Sequence, residues 1–305
     1  MGTDAAGEDG LDMSRPRRIA VVGLGEMGLA MALALRDAGW QVVGCDPSPV
    51  ARQRAAADIE IADDLAGLAG WDTVLISVPG AVQVREVVPQ ILAVCPGAVI
   101  VDATTSEPKV SVELAAQAHQ TGAAFVDSPV SGGKSGARAG TLMAFVGGTE
   151  ADVVRAAPVL DTIAAGKWRH LGDSGAGNVG KLVNNTLAAM NLVIAAEALA
   201  IGERWGITPA VLVEALNGAS GRNAATEVNL PRWVLPETFD SGFTMALMQR
   251  DVNLALKTFQ EEGVHSRVTE LVVQRWNEAA DQLASGDDFN RVVPVLQAAA
   301  LGEQR

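Results

Sequence analysis

From Gly175 to Gly206 the chain reads GAGNVGKLVNNTLAAMNLVIAAEALAIGERWG, with no proline between Lys181 and Trp205. Ala, Leu and Met dominate, and all three are good helix formers. Between Leu187 and Ile201 only Asn191 and Glu197 are polar, which predicts a helix apolar nearly all round. Such a helix is either buried between packed layers or spans a membrane. Three Asn, one Glu and a Lys within the span argue against the membrane. At ~1.5 Å per residue one helix over this stretch would extend roughly 45 Å. Lys181 and Asn185, four apart, share a face, with Asn184 beside them. A lysine and two amides at the mouth of a buried helix are costly unless something uses them. The alternative is a charge that snorkels at a helix end.

The chain before this helix alternates strands and helices. Arg18–Gly23 (RIAVVG) reads as a short strand buried on both faces and runs into Gly23-Leu24-Gly25-Glu26-Met27-Gly28. A helix follows to Asp37 and stops at Gly39. Strand, G-x-G-x-x-G, helix is the context in which this motif binds a dinucleotide. The first glycine makes the tight turn, the second admits the pyrophosphate, and the third packs helix on strand. The helix N-terminus then faces the phosphates. The next strand, Gln41–Cys45, ends at Asp46, where a carboxylate would bond the adenosine ribose and exclude a 2′-phosphate. NAD is therefore the preferred cofactor, with NADP as the alternative because Arg52 and Arg54 stand close by in sequence.

Further strands are expected at Asp72–Val78, Ala98–Asp102 and Ala123–Asp127, with a hairpin-like strand at Gly140–Gly148 and another at Lys167–Leu171. In an open α/β sheet, ligands bind at strand carboxyl ends. Val78, Pro79, Thr105 and the loop after Asp127 should therefore line one crevice. That loop, Ser128–Gly136, places Ser131 before Gly132 and Gly133, an arrangement of hydroxyl and backbone N–H groups suited to a carboxylate. An ordinary glycine-rich turn is the competing reading.

After Gly172 the strand signals stop. Helices are expected at Pro209–Asn217, Thr244–Glu262, Val268–Ala284 and Val292–Ala300, with Ser220–Phe243 as loop plus short helix. The expectation is an α/β protein: a disordered tail over residues 1–16, a Rossmann-type domain over 17–172, and an all-α domain over 173–305 joined to it by the long helix.

Composition narrows the chemistry. There is no tyrosine, so no tyrosine acid can act. Three scattered histidines without neighbouring cysteines lack the ligand spacing of a zinc site, and no metal is expected. A net charge of −13 disfavours nucleic acid and anionic membranes as partners. Two isolated cysteines fit small core residues in a reduced, cytoplasmic setting. The apolar helix suggests burial against a second subunit, hence a homodimer or homotetramer.

Four blocks stand in order: Gly23–Gly28, Asp102–Pro108 (DATTSEP), Asp127–Gly133 (DSPVSGG) and Gly177–Asn185 (GNVGKLVNN). Together they resemble the β-hydroxyacid dehydrogenase family, over about residue 17 to the end. A fifth, Phe243–Ala255, is similar to the family's C-terminal segment, with Arg250 where the family usually carries a lysine that approaches the cofactor. The resemblance implies reversible oxidation of a small anionic β-hydroxy acid with NAD(P). It makes Lys181 the catalytic residue. Ser131, Gly132, Gly133, Asn184 and Asn185 would bind substrate. Gly23, Leu24, Gly25, Glu26, Met27, Gly28, Asp46, Val78, Pro79, Thr105 and Arg250 would hold the dinucleotide. Rival readings are a 6-phosphogluconate dehydrogenase-like enzyme, an imine reductase-like enzyme and a non-catalytic dinucleotide-binding scaffold. Retention of both Lys181 and the Ser-Gly-Gly loop favours a hydroxy acid substrate.

Overall fold

Among the residues described by the computed structural model, 17–302, nine strands form one sheet. They are β1 Arg18–Val22, β2 Gln41–Cys45, β3 Glu60–Ile61, β4 Thr73–Ile76, β5 Val99–Asp102, β6 Ala124–Asp127, β7 Val130–Ser131, β8 Met143–Gly147 and β9 Trp168–Gly172. The tail expected over residues 1–16 lies outside the described residues. Strand order is β3-β2-β1-β4-β5-β6-β8-β7, with β9 paired to β8. The first six are parallel, and β8 runs antiparallel to β6 and β7. Consecutive Ile, Val and Ala in β1 are buried on both faces, as a central parallel strand requires. Between β1 and β4 the order reverses, and the crevice outside their carboxyl ends is where such sheets bind ligands.

Helices α1 Glu26–Asp37, α2 Pro49–Ala55, α3 Ala81–Val94, α4 Pro108–Gln120, α5 Gly133–Ala139 and α6 Glu150–Ala164 accompany the sheet. Two apolar clusters result. One, with Met31, Leu35 and Leu160, lies under α1 and α6; the other, with Ile91, Leu114 and Phe125, lies under α3 and α4.

Beyond β9 the described elements are helical: α7 Ala176–Arg204, α8 Pro209–Asn217, α9 Met245–Glu261, α10 Arg267–Ala280 and α11 Val292–Leu301. The second half of α7 packs into a third cluster with Met248, Val252, Trp276 and Leu296. Trp276 is wholly buried and its indole N–H donates to the Ala189 carbonyl at 3.3 Å. Helix α7 is buried along one side by the described residues, and its other side is open. Val183, Leu187, Ile194 and Ile201 are exposed, and at ~100° per residue they fall on one stripe opposite Lys181.

Ser220–Phe243 holds loop and one short helix, as expected, and the ten helical residues, Ala225–Val234, are of π type. Asn223 Oδ1 opens it by accepting the N–H groups of Ala225 and Thr226. The Ser128–Gly136 stretch is not all loop: Val130 and Ser131 pair with β8, and α5 starts at Gly133.

Candidate active site

The glycine fingerprint folds as its spacing requires. Gly23 has φ +94°, and a Cβ there would collide with the Ser77 carbonyl beyond β4. A Cβ on Gly28 would strike the Gly23 carbonyl, so α1 starts directly against the turn. Around Gly25 there is open space within 4 Å, the gap a pyrophosphate would fill. The residues present therefore fit a dinucleotide. The side chain of Leu24 is wholly buried, so it can offer only backbone to a cofactor, whereas Met27 is half-buried against the core beside the turn.

Asp46 sits beside this turn. One carboxylate oxygen accepts the Leu24 N–H and the other the Ser48 N–H, each at 2.7 Å. A carboxylate offers about four lone-pair positions, so acceptor capacity remains for a ribose. Arg52 donates to the carbonyls of Asp46 and Pro47. Arg54 donates to the Leu24 carbonyl at 2.8 Å and to Glu26 at 2.5 Å. Glu26 also pairs with the exposed Lys134, which holds its carboxyl below the usual range, the Lys134 bond being the main cause.

Two turns close the crevice beyond β4 and β5. The Val78 N–H donates to Thr104 Oγ1 at 3.2 Å, the Thr104 N–H donates to Asp102 Oδ1 at 3.0 Å, and Thr105 is partly exposed beside them. Asp102 is wholly buried and its Oδ2 has no partner among the described residues. Desolvation pushes its carboxyl up to about 7.

Ser131 and Gly133 are half-buried, and Gly132, with φ +131°, is the turn that leads into α5. The first N–H groups of a helix lack intrahelical acceptors, so this turn presents donors suited to an anion. Gly133 faces the carbonyl of Ser241 from the helical region, so the loop lies where the two halves of the chain meet.

Lys181 is 7 % exposed, two turns into α7. Among the described residues its ammonium has no hydrogen-bond or ion-pair partner. Desolvation lowers its pKa from 10.5 to about 8; the Asp251 carboxylate opposes this, and the Arg250 guanidinium adds to it. One turn further along α7, Asn185 donates to Asp251 Oδ2 at 2.7 Å and accepts from Asn184 at 3.1 Å. Asp251 Oδ1 accepts from Arg250 at 2.9 and 2.7 Å, and the same guanidinium reaches the Pro79 carbonyl. Arg250 thus ties α9 to the turn after β4. A separate cleft of about 390 Å³, lined by Pro108, Val112, Gly175, Val179 and Lys257, lies at the base of α7 but does not include Lys181.

Sequence reasoning did not single out Asp251, Asp102, Asp127 or Asn178 for a role. Asp251 had a local signal, a carboxylate next to Arg250 in a helical segment with an apolar face. The others look in sequence like ordinary strand ends and a small polar residue.

Residues 18–173 match the model for the NAD binding domain of 6-phosphogluconate dehydrogenase. Residues 175–296 match that described as NAD-binding of NADP-dependent 3-hydroxyisobutyrate dehydrogenase. The 2-(hydroxymethyl)glutarate dehydrogenase of Eubacterium barkeri is 33% identical over 291 residues, covering 93% of this chain and 96% of that protein. The 2-hydroxy-3-oxopropionate reductase of Escherichia coli is 32% identical, covering 92% and 97%. Among solved structures, Mycobacterium tuberculosis 3-hydroxyisobutyrate dehydrogenase with L-serine superposes with a TM-score of 0.86 at 32% identity, covering 93% of this chain and 100% of that one. With two family models covering nearly all the described residues and relatives matched end to end, the chain belongs to the β-hydroxyacid dehydrogenase family.

Proposed function

We propose that this protein is an NAD-preferring dehydrogenase that reversibly oxidises a small 3-hydroxy acid to its semialdehyde or keto acid. The observation that carries the reading is the Lys181 amine, buried on α7 without a hydrogen-bond partner among the described residues and within reach of the Asp251 charge, whose neighbour Arg250 bonds the Pro79 carbonyl beyond β4. A nicotinamide cofactor, when bound, would supply the hydride acceptor. Lys181 in its neutral form takes the hydroxyl proton during oxidation and returns it during reduction. In the charged form it also stabilises a developing alkoxide. Ser131, Gly132 and Gly133 hold the substrate carboxylate, and Asn184 and Asn185 hold the reacting hydroxyl near the amine. Thr105, Val78 and Pro79 would flank the nicotinamide, and Gly23–Gly28 with Asp46 would hold the rest of the dinucleotide. Arg250 stands at the rim.

Asp46 supports the NAD preference, because a 2′-phosphate beside it would meet a second negative charge. Arg52 and Arg54, the cations that could offset that charge, are engaged with carbonyls around the same turn. The division of the chain near residue 172 puts cofactor chemistry in the α/β half and the Asp251 support in the helical half. The exposed stripe Val183, Leu187, Ile194 and Ile201 suits a second copy of the chain, giving a homodimer or homotetramer that light scattering would detect. Cys45 and Cys95, both buried and free, fit a cytoplasmic location.

The test is a panel of 3-hydroxyisobutyrate, serine, glycerate, threonate and a sulfonate analogue with NAD or NADP, followed by nicotinamide absorbance. NAD-linked turnover of at least one acid supports the reading. Dinucleotide binding without turnover of any would favour a scaffold.

A further inference from the structure

Lys181 lies between two amides on its own helix face. At ~100° per residue, Asn178, Lys181 and Asn185 fall within an arc of about 60°. Asn185 points to the helical half, bonded to Asp251. Asn178 points to the α/β half. It is wholly buried, and both ends of its amide are used. Its Oδ1 accepts the Ser106 N–H at 2.8 Å, and its Nδ2 donates to Ser111 Oγ at 3.0 Å.

This amide is not needed to start the helix. Asp127, at the end of β6, already accepts the N–H groups of Gly175 at 2.7 Å and Asn178 at 2.8 Å. Gly177 lets that first turn sit directly on the strand ends, because a Cβ there would collide with the carbonyls of Asp127 and Phe145. The Asn178 side chain instead reaches a different element, the turn between β5 and α4 that carries Thr104, Thr105 and Ser106.

Following the bonds outward closes a circuit. Ser106 is held by Asn178, Thr104 of the same turn accepts from Val78, the neighbouring Pro79 carbonyl accepts from Arg250, Arg250 bonds Asp251, and Asp251 accepts from Asn185 back on α7. The circuit begins one turn before Lys181 and ends one turn after it.

We infer that Asn178 is a positioning residue, whose amide fixes the spacing between the Lys181 amine and the Thr104–Ser106 turn on the nicotinamide side. The inference rests on Lys181 as the reacting amine. A misplacement of ~1 Å between reacting groups can lower a rate on the order of 10²-fold. Removing the amide leaves the buried Ser106 N–H without an acceptor and frees the turn to move against α7.

The experiment compares Asn178→Ala, Asn178→Gln and Ser111→Ala with wild type and Lys181→Ala. Asn178→Ala is expected to lower kcat by roughly tenfold or more, with NADH affinity within about threefold of wild type. The primary isotope effect from deuterated substrate should rise as hydride transfer becomes limiting. Asn178→Gln, which keeps the amide but lengthens it, should fall between. Ser111→Ala breaks the other bond of the same amide and keeps the Ser106 contact, so it should lower Tm with kcat within about twofold. Amide exchange should accelerate together in residues 104–107 and 177–182 of Asn178→Ala, a readout that needs no turnover. Unchanged exchange in those segments overturns the inference, whatever the activity. So does a kcat that follows Tm equally in Asn178→Ala and Ser111→Ala. Full turnover in Lys181→Ala would instead sink the proposed function itself.

Discussion

Raising the pH from 7 to 9 should increase kcat/KM for hydroxy acid oxidation about tenfold, and further increase should bring little more. In the proposed mechanism oxidation needs Lys181 neutral, and burial brings its pKa down from 10.5 to about 8. On that value roughly one molecule in ten has the neutral amine at pH 7 and about nine in ten at pH 9. An ordinary lysine would behave differently, with a rise of about a hundredfold over the same interval and no plateau below pH 10. The assay is initial-rate NADH formation at low substrate from pH 6 to 10.5, with saturating NAD. The neighbouring charges give a second, directional check. The Asp251 carboxylate favours the ammonium, so Asp251→Asn should move the limb to lower pH. The Arg250 guanidinium disfavours it, so Arg250→Gln should move the limb to higher pH. A log-linear rise continuing through pH 10, or shifts of the opposite sign in the two variants, would refute a desolvated amine as the titrating group.

Three further outcomes follow from the same geometry. Because the unfolded chain holds the Lys181 proton between pH 8 and 10.5 while the folded chain has lost it, that group makes stability rise with pH across this window. Lys181→Met removes the rise and should raise Tm at pH 7, where the buried ammonium costs about 3 kcal/mol, while activity is lost. Asp102 works in the other direction: with its carboxyl pushed up to about 7, the folded chain keeps a proton the unfolded chain has released, so its contribution is full below about pH 4 and fades as pH rises through 7. Asp102→Asn should flatten the decline in Tm between pH 5 and 7.5; an identical slope in wild type and variant would contradict the assignment. Asp46→Ala should weaken NAD binding and relax the discrimination against NADP, measured as the ratio of kcat/KM values for the two cofactors; an unchanged ratio counts against Asp46 as the selector.

Much of this was legible in the residues because the signals are local. Strand β2 has the bounds read from its sequence, and α7 and α8 end within two residues of theirs, since apolar runs and glycine or proline punctuation mark them. Lys181 and Asn185 share a face simply because they are four apart. Other features depend on partners distant in the chain. Asn185 meets Asp251 across 66 positions, and Asn178 meets Ser106 across 72. No periodicity announces such pairs. Helix α5 was hidden by its composition: GKSGARA has two glycines in seven residues and reads as a loop, yet it is anchored by burial of Ala137. The π-type turns at Ala225–Val234 contain Pro231, which argues against a regular helix, and the shifted bonding around it is a tertiary outcome.

In the proposed reaction a single desolvated amine on α7, that of Lys181, performs the proton step. Replacing it in Lys181→Ala, and measuring NADH formation beside NADH binding by fluorescence, is the decisive experiment. Turnover should fall by a factor of roughly 10² or more while NADH affinity stays near that of wild type. Near-normal turnover in a folded, NADH-binding variant would contradict it.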